Sequence, residues 1–102
     1  MNEDNAALLF QTLANPDRLR IIRLLVSAAP DGKIAGEIAT GIGASPSRAS
    51  FHLAALTEAG VLTCTRQSRS LRYTVNFQVL GGLIGFFLRD CCDNNPTMRA
   101  CC

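Results

Sequence analysis

Residues 45–60 read SPSRASFHLAALTEAG, and this stretch decides the fold. Ser45 is a residue type whose side chain caps a helix N-terminus, and Pro46 suits the first helical position, where its missing N–H is no loss. Gly60 suits the left-handed turn that ends a helix. Between these signals, Ala49, Leu53, Leu56 and Gly60 fall on one helical face, with Ser47, Ser50, Phe51, Ala54 and Glu58 roughly opposite. The pattern predicts a helix that docks on a core and presents a polar outer face at its N-terminal end.

Outward from this helix, other elements follow by the same logic. The preceding GIGAS (residues 41–45) is a turn, and Lys33 to Gly41 reads as a short helix with a residue or two of strand before it. Upstream, NPDRLRIIRLLVSAA (15–29) opens with Asn15 as cap, Pro16 at the first position and Asp17 favouring the helix dipole. Leu19, Ile22, Leu25 and Val26 recur there at helical spacing, and Pro30, Asp31 and Gly32 make the turn. A first helix is expected from about Asp4 to Ala14, with Leu9 and Leu13 on one face. Downstream, VLTCTRQSRSLRYTV (61–75) alternates apolar and polar residues around the polar tip RQSRS, which predicts a β-hairpin. The segment from about Phe77 to Cys92 reads as a helix that is apolar nearly all round.

A 102-residue chain is one domain with a modest core, yet 48% of its residues are hydrophobic and 18% charged. A terminal helix that is apolar on all sides must be buried on all sides, so a second subunit is the expected cover. Gly81 and Gly85, four apart with Gly82 between them, would let two such helices approach closely. The alternative is a helix folded only onto its own domain. The longest apolar run, Phe77 to Leu88, contains Gln78 and three glycines and is too short to span a bilayer. The N-terminus MNEDNAALLF is acidic and lacks a basic signal region, so no membrane role and a cytoplasmic location are expected.

Net charge is only +2, but its distribution is informative. Between Ser45 and Asn76 stand Arg48, Arg66, Arg69 and Arg72 against a single acid, Glu58. Nine of the ten basic residues of the chain are arginine, whose planar fork suits phosphates and guanine edges. Helices leading into a capped helix, followed by a basic hairpin, form a winged helix-turn-helix: mostly α, with a β-hairpin wing, dimeric through its terminal helices. Residues 1–92 are the expected DNA-binding and dimerisation domain, and 93–102 a cysteine-containing tail without periodicity.

The major groove of B-DNA admits one α-helix, whose N-terminal residues reach base edges. Ser45, Ser47, Arg48, Ser50 and Phe51 are the candidates on the helix, with Arg48 suited to guanine and Phe51 to a thymine methyl. Arg66, Gln67 and Arg69 at the hairpin tip would meet phosphates or the minor groove, and Arg72 lies further down. His52, the only histidine, sits beside the buried face. A packed, hydrogen-bonded position suits it better than a metal site, with a phosphate contact as its second role. No nucleophile elbow, phosphate-cradling glycine loop or base beside a cysteine is legible, so an enzyme is not expected.

The segments LANPDRLRIIRLL (13–25), SPSRASFHLAALTEAGVL (45–62) and SRSLRYTV (68–75) resemble the ArsR/SmtB family of metal-responsive repressors, over roughly residues 6 to 90. The resemblance implies a homodimer that binds a palindromic operator in double-stranded DNA and leaves it when an inducer binds. Two departures stand out: Ser68 where the family's wing often has glycine, and Phe51 where a polar residue is frequent. The Cys-Val-Cys motif of well-known arsenic sensors is absent from the corresponding helix, which reads AGEIATGIG (35–43). The last helix has no histidine and only Asp90 as acid, so the family's histidine-based zinc site cannot be assembled.

Four of the five cysteines crowd into the last dozen residues. Soft thiolates select soft ions, and trivalent arsenic takes three sulfurs. Some family members place an arsenite site at a C-terminal cysteine pair plus one later cysteine. That resemblance implies As(III), or Sb(III), bound by three of Cys91, Cys92, Cys101 and Cys102. Thiol oxidation, or Cd(II), Pb(II) or Zn(II) held by four sulfurs, are alternatives for the same residues. A thiol-rich metal buffer or partner-binding module is a reading of another class, which leaves the capped helix and basic hairpin without a role.

Overall fold

The structure, a computed structural model, describes residues 1–100. Its elements are α1 (Glu3–Leu13), α2 (Pro16–Ser27), β1 (Lys33–Ile34), α3 (Ala35–Ile42), α4 (Pro46–Glu58), β2 (Leu62–Gln67), β3 (Ser70–Val75), α5 (Phe77–Phe86) and α6 (Pro96–Ala100). Caps set most helix starts. The side-chain oxygens of Asn2, Asn15, Ser45 and Asn76 accept from first-turn amides of α1, α2, α4 and α5. Glu37 does the same for α3 in reverse, accepting from the Ile34 amide at 3.1 Å.

The core is one cluster. Ile21 and Leu25 of α2, Ile38 of α3, Leu53 and Leu56 of α4, Val61, and Leu83 of α5 are fully buried in it, and Leu9 of α1 joins them. One expectation changes here. On α2 the buried face carries Ile21 and Leu25, while Leu19 is 54% exposed and Val26 is also exposed. The α2 sequence is apolar on two sides, so spacing alone offered two stripes. Packing of α2 against α3, α4 and β3 selects the one through Ile21.

The three strands form an antiparallel sheet in the order β1-β3-β2. In the hairpin, Leu62 pairs with Val75, Cys64 with Tyr73 and Gln67 with Ser70. Lys33 and Ile34 pair with Tyr73 and Arg72, so the short strand foreseen before α3 closes the base of the wing. Gly32 permits this approach. Its φ is +77°, and a Cβ there would run into the Tyr73 carbonyl. Its own carbonyl accepts from Arg72 Nη1 at 3.2 Å.

α5 does not run to Cys92 as a uniform helix. From Phe87 to Cys91 it widens into a π turn, with the Cys92 amide donating to the Phe87 carbonyl at 3.0 Å. Asp93 and Asn94 then adopt φ of 50° and 52°, the left-handed region, which reverses the chain. The tail, which has no periodicity and reads as extended or mobile, is helical over Pro96–Ala100. Asn95 Oδ1 accepts from the amides of Thr97 (2.9 Å) and Met98 (3.3 Å), the same Asn-Pro start that opens α2. Periodicity could not reveal this helix, because five residues are too short to show a stripe.

Candidate nucleic-acid interface and thiol cluster

α3 and α4 are joined by Gly43, Ala44 and Ser45, with Gly43 left-handed at φ 68°. Ser45 Oγ accepts from the Arg48 amide at 3.2 Å. At the other end of α4, Gly60 (φ 84°) donates to the Thr57 carbonyl and Val61 to that of Leu56, both at 3.0 Å. These paired bonds satisfy the last carbonyls, and the buried Val61 and Leu56 side chains pin the helix end to the core. With Ala49, Leu53 and Leu56 buried, α4 turns Ser47, Arg48, Ser50 and Phe51 to solvent, next to exposed Ser45. Phe51 is 66% exposed on this face.

His52 does not share that outward face. It is 6% exposed, because its place on α4 turns it toward α2. Its Nδ1 accepts from Arg18 Nε at 3.0 Å, and its Nε2 lies 3.5 Å from Asp17 Oδ2. Arg18 also donates to the Thr12 carbonyl of α1 at 3.0 Å, and its guanidinium lies 5.8 Å from the Phe51 ring centre. The histidine is thus packed and hydrogen-bonded beneath the exposed face, as its place beside the buried stripe suggests.

Asp17, foreseen only as a favourable charge at a helix start, is the centre of this support. It accepts from Arg48 Nε at 2.9 Å and from Arg20 Nη1 at 3.0 Å. Burial alone would raise its carboxyl. The Arg48 hydrogen bond and the charges of Arg48, His52 and Arg20 outweigh that and hold it below the usual carboxylate value. No spacing rule could pair residues 17 and 48; only the packing of α2 on α4 brings them together.

The hairpin tip carries Arg66, Gln67 and Arg69, all exposed. Ser68, at φ 57°, takes the left-handed conformation at the first of the two tip residues, where glycine is favoured. Arg72 is half-buried and tied to Gly32, so it anchors the wing to its base. Tyr73 packs behind it on the core, and burial with the neighbouring Cys64 side chain raises its phenol.

Of the cysteines foreseen as a thiol site, Cys91 is exposed and Cys92 half-buried, adjacent at the end of the π turn. Cys101 and Cys102 lie outside the described residues. Among the described residues, no three His, Cys, Asp or Glu side chains are grouped to hold a metal ion. The thiol pair is not remote from the rest of the molecule. Phe87, which opens the π turn, meets Phe10 of α1 edge-to-face with ring centres 5.6 Å apart. No helix among the described residues is long and apolar enough to cross a membrane.

A groove-sized helix with an exposed polar N-terminal face, set beside an arginine-bearing hairpin, defines a winged helix-turn-helix DNA-binding domain. A family described as "Helix-turn-helix domain" matches residues 13–65. The chain is 31% identical to the HTH-type transcriptional regulator YgaV of Escherichia coli K12 over 79% of this chain and 80% of that protein. It is 27% identical to a probable mercury resistance operon repressor of Streptomyces lividans, over 97% of this chain and 76% of that one. Among solved structures, a possible transcriptional regulator for arsenical resistance superposes with TM-score 0.66 at 34% identity, covering 76% of this chain and 77% of the other. The homodimeric winged helix-turn-helix domain Mb0332 of Mycobacterium bovis, a possible ArsR-family regulator, does so with TM-score 0.67 at 27% identity, over 90% and 82%. The chain belongs to the helix-turn-helix family as a winged-helix transcriptional regulator of the ArsR type.

Proposed function

We propose that the protein is a cytoplasmic homodimeric repressor that binds operator DNA and is released when As(III), or Sb(III), binds its C-terminal thiols. The observation that carries the DNA-binding half is the exposed Ser47, Arg48, Ser50 and Phe51 face of α4 beside a wing tip of Arg66, Gln67 and Arg69. In this reading Arg48 and Phe51 read bases, Ser45, Ser47 and Ser50 contact bases or backbone, and the wing neutralises phosphates.

The dimer reading is supported by apolar surface left open on the terminal helices. Leu8 and Phe10 of α1, Phe77 and Ile84 of α5, and Phe87 of the π turn are exposed, and Phe10 and Phe87 touch across the two helices. The M. bovis domain with the same fold is described as homodimeric.

The inducer reading rests on chemistry. Cys91 and Cys92 supply two soft ligands, and Cys101 or Cys102 is the proposed source of a third. A protein 34% identical is described as a possible regulator for arsenical resistance. A second reading is favoured by similarity to the mercury operon repressor over 97% of the chain. Hg(II) is a soft ion that two thiolates satisfy, so Cys91 and Cys92 would suffice for it. In either case the ion must favour the DNA-free geometry, in which the two α4 helices no longer match half-sites about 34 Å apart.

Duplex binding measured across a salt series tests the DNA half. Phosphate contacts give a steep loss of affinity with salt, with a slope of about −0.9 per phosphate neutralised. Arg69→Ala should lower that slope by about one per subunit. A thiol-rich buffer protein would show no salt-dependent duplex binding.

A further inference from the structure

Arg48 is held in a specific way. Its Nε–H is spent on Asp17 Oδ2 at 2.9 Å. That bond uses one of five guanidinium donors and leaves the Nη1/Nη2 fork free. The fork is the edge that pairs with O6 and N7 of guanine. An arginine on the first turn of an exposed helix would otherwise sample many rotamers, most of them pointing away from any one base.

The carboxylate that holds it is itself fixed. The Asp17 amide donates to Asn15 Oδ1 at 2.9 Å, which locks the first turn of α2. Its Oδ1 accepts from Arg20 at 3.0 Å, and His52 Nε2 stands 3.5 Å from Oδ2. The Asp17 side chain is 16% exposed, against 50% for Arg48. A partly shielded acid, bonded also by Arg20, thus grips a half-exposed arginine. Arg48 and His52 lie one turn apart on α4, so one carboxylate sets both the aim of Arg48 and the seating of its helix.

We infer that Asp17 is a specificity-determining positioning residue: it buttresses Arg48 so that the guanidinium fork is presented to a guanine of the operator half-site. This inference rests on α4 being the groove-reading helix. It assigns the discrimination to a residue of α2 that need not touch DNA.

The test is selection from a pool of randomised duplexes by the reduced full chain and by Arg48→Ala, Asp17→Asn, Asp17→Glu and Arg20→Gln. Cooperative melting of each variant checks that it folds. The wild type should enrich a guanine at a position where Arg48→Ala shows no preference. Asp17→Asn should lose about tenfold discrimination at that same position, the scale of one bidentate pair, and keep its preferences elsewhere. Asp17→Glu should recover part of it, and Arg20→Gln, which removes only the bond to Oδ1 and leaves Arg48 on Oδ2, should lose less than Asp17→Asn. Unchanged guanine preference in Asp17→Asn overturns the inference, as does equal loss at every position, which marks a purely structural role. If Arg48→Ala retains every preference, Arg48 reads no base and the inference fails while DNA binding stands. If the wild type binds no duplex in a salt-dependent way, the functional reading itself fails.

Discussion

At the scale of single residues, two side chains invite measurement. The Asp17 carboxyl has a lowered value in the folded protein relative to the ordinary 3.8. A depressed acid stabilises the fold above its unfolded value, and that contribution is lost as pH falls through the folded value. The wild type should therefore be more stable than Asp17→Asn at neutral pH, and the difference should shrink below pH 3.8, as read by chemical denaturation across a pH series. Ser68 is strained at φ 57°. Ser68→Gly should stabilise the fold by about 0.5–1 kcal/mol, since the left-handed penalty for a side chain exceeds the entropic cost of glycine there. A urea midpoint shift with unchanged slope would show it. The departure at Ser68 was legible in the sequence as a residue standing where glycine is common. The Asp17–Arg48–His52 grouping was not, because it joins residues more than thirty positions apart through helix packing.

At the scale of elements, α5 shows what hydropathy can and cannot tell. Its composition announced a helix wanting cover on every side. The structure divides it: Leu83 and Phe86 are buried in the core, while Phe77 and Ile84, and Phe87 just beyond, remain outside. Gly81 faces open space, whereas Gly85 lies under the Arg89 guanidinium of its own helix. Two substitutions one residue apart should therefore behave differently. Leu83→Ala should cost about 2–5 kcal/mol of stability, the range for emptying a packed site. Ile84→Glu should leave the fold intact but convert dimer to monomer in sedimentation analysis. A monomeric wild type would contradict the dimer reading. Helices α1, α2 and α4 and the hairpin were legible because caps, prolines and alternation are local signals. The π turn and α6 were not, because the first depends on backbone hydrogen bonding and the second is too short for a stripe.

At the scale of the whole molecule, a chain of contacts runs from the π turn that ends at the thiol pair, through α1, to α4. Phe87 beside the thiol turn meets Phe10 on α1, the Thr12 carbonyl of α1 receives Arg18, and Arg18 holds His52 on α4. In the proposed mechanism, α1 is the packed element through which a change at the thiols would reach α4. Phe10→Leu should keep operator affinity within a few-fold yet blunt the response to the inducer, as seen in paired binding curves with and without arsenite. Full response in Phe10→Leu would remove α1 from the route. The helix-turn-helix and its wing were legible in the sequence from local caps and alternation. For the proposed regulation the sequence offers only cysteine positions, because which thiols could meet depends on how distant parts of the chain pack. The most direct test is operator binding by anisotropy under reducing conditions, with As(III) titrated into the wild type and into a Cys91→Ser/Cys92→Ser variant. Arsenite should release the wild type and leave the variant bound; release of both alike, or of neither, would contradict a thiol-induced repressor.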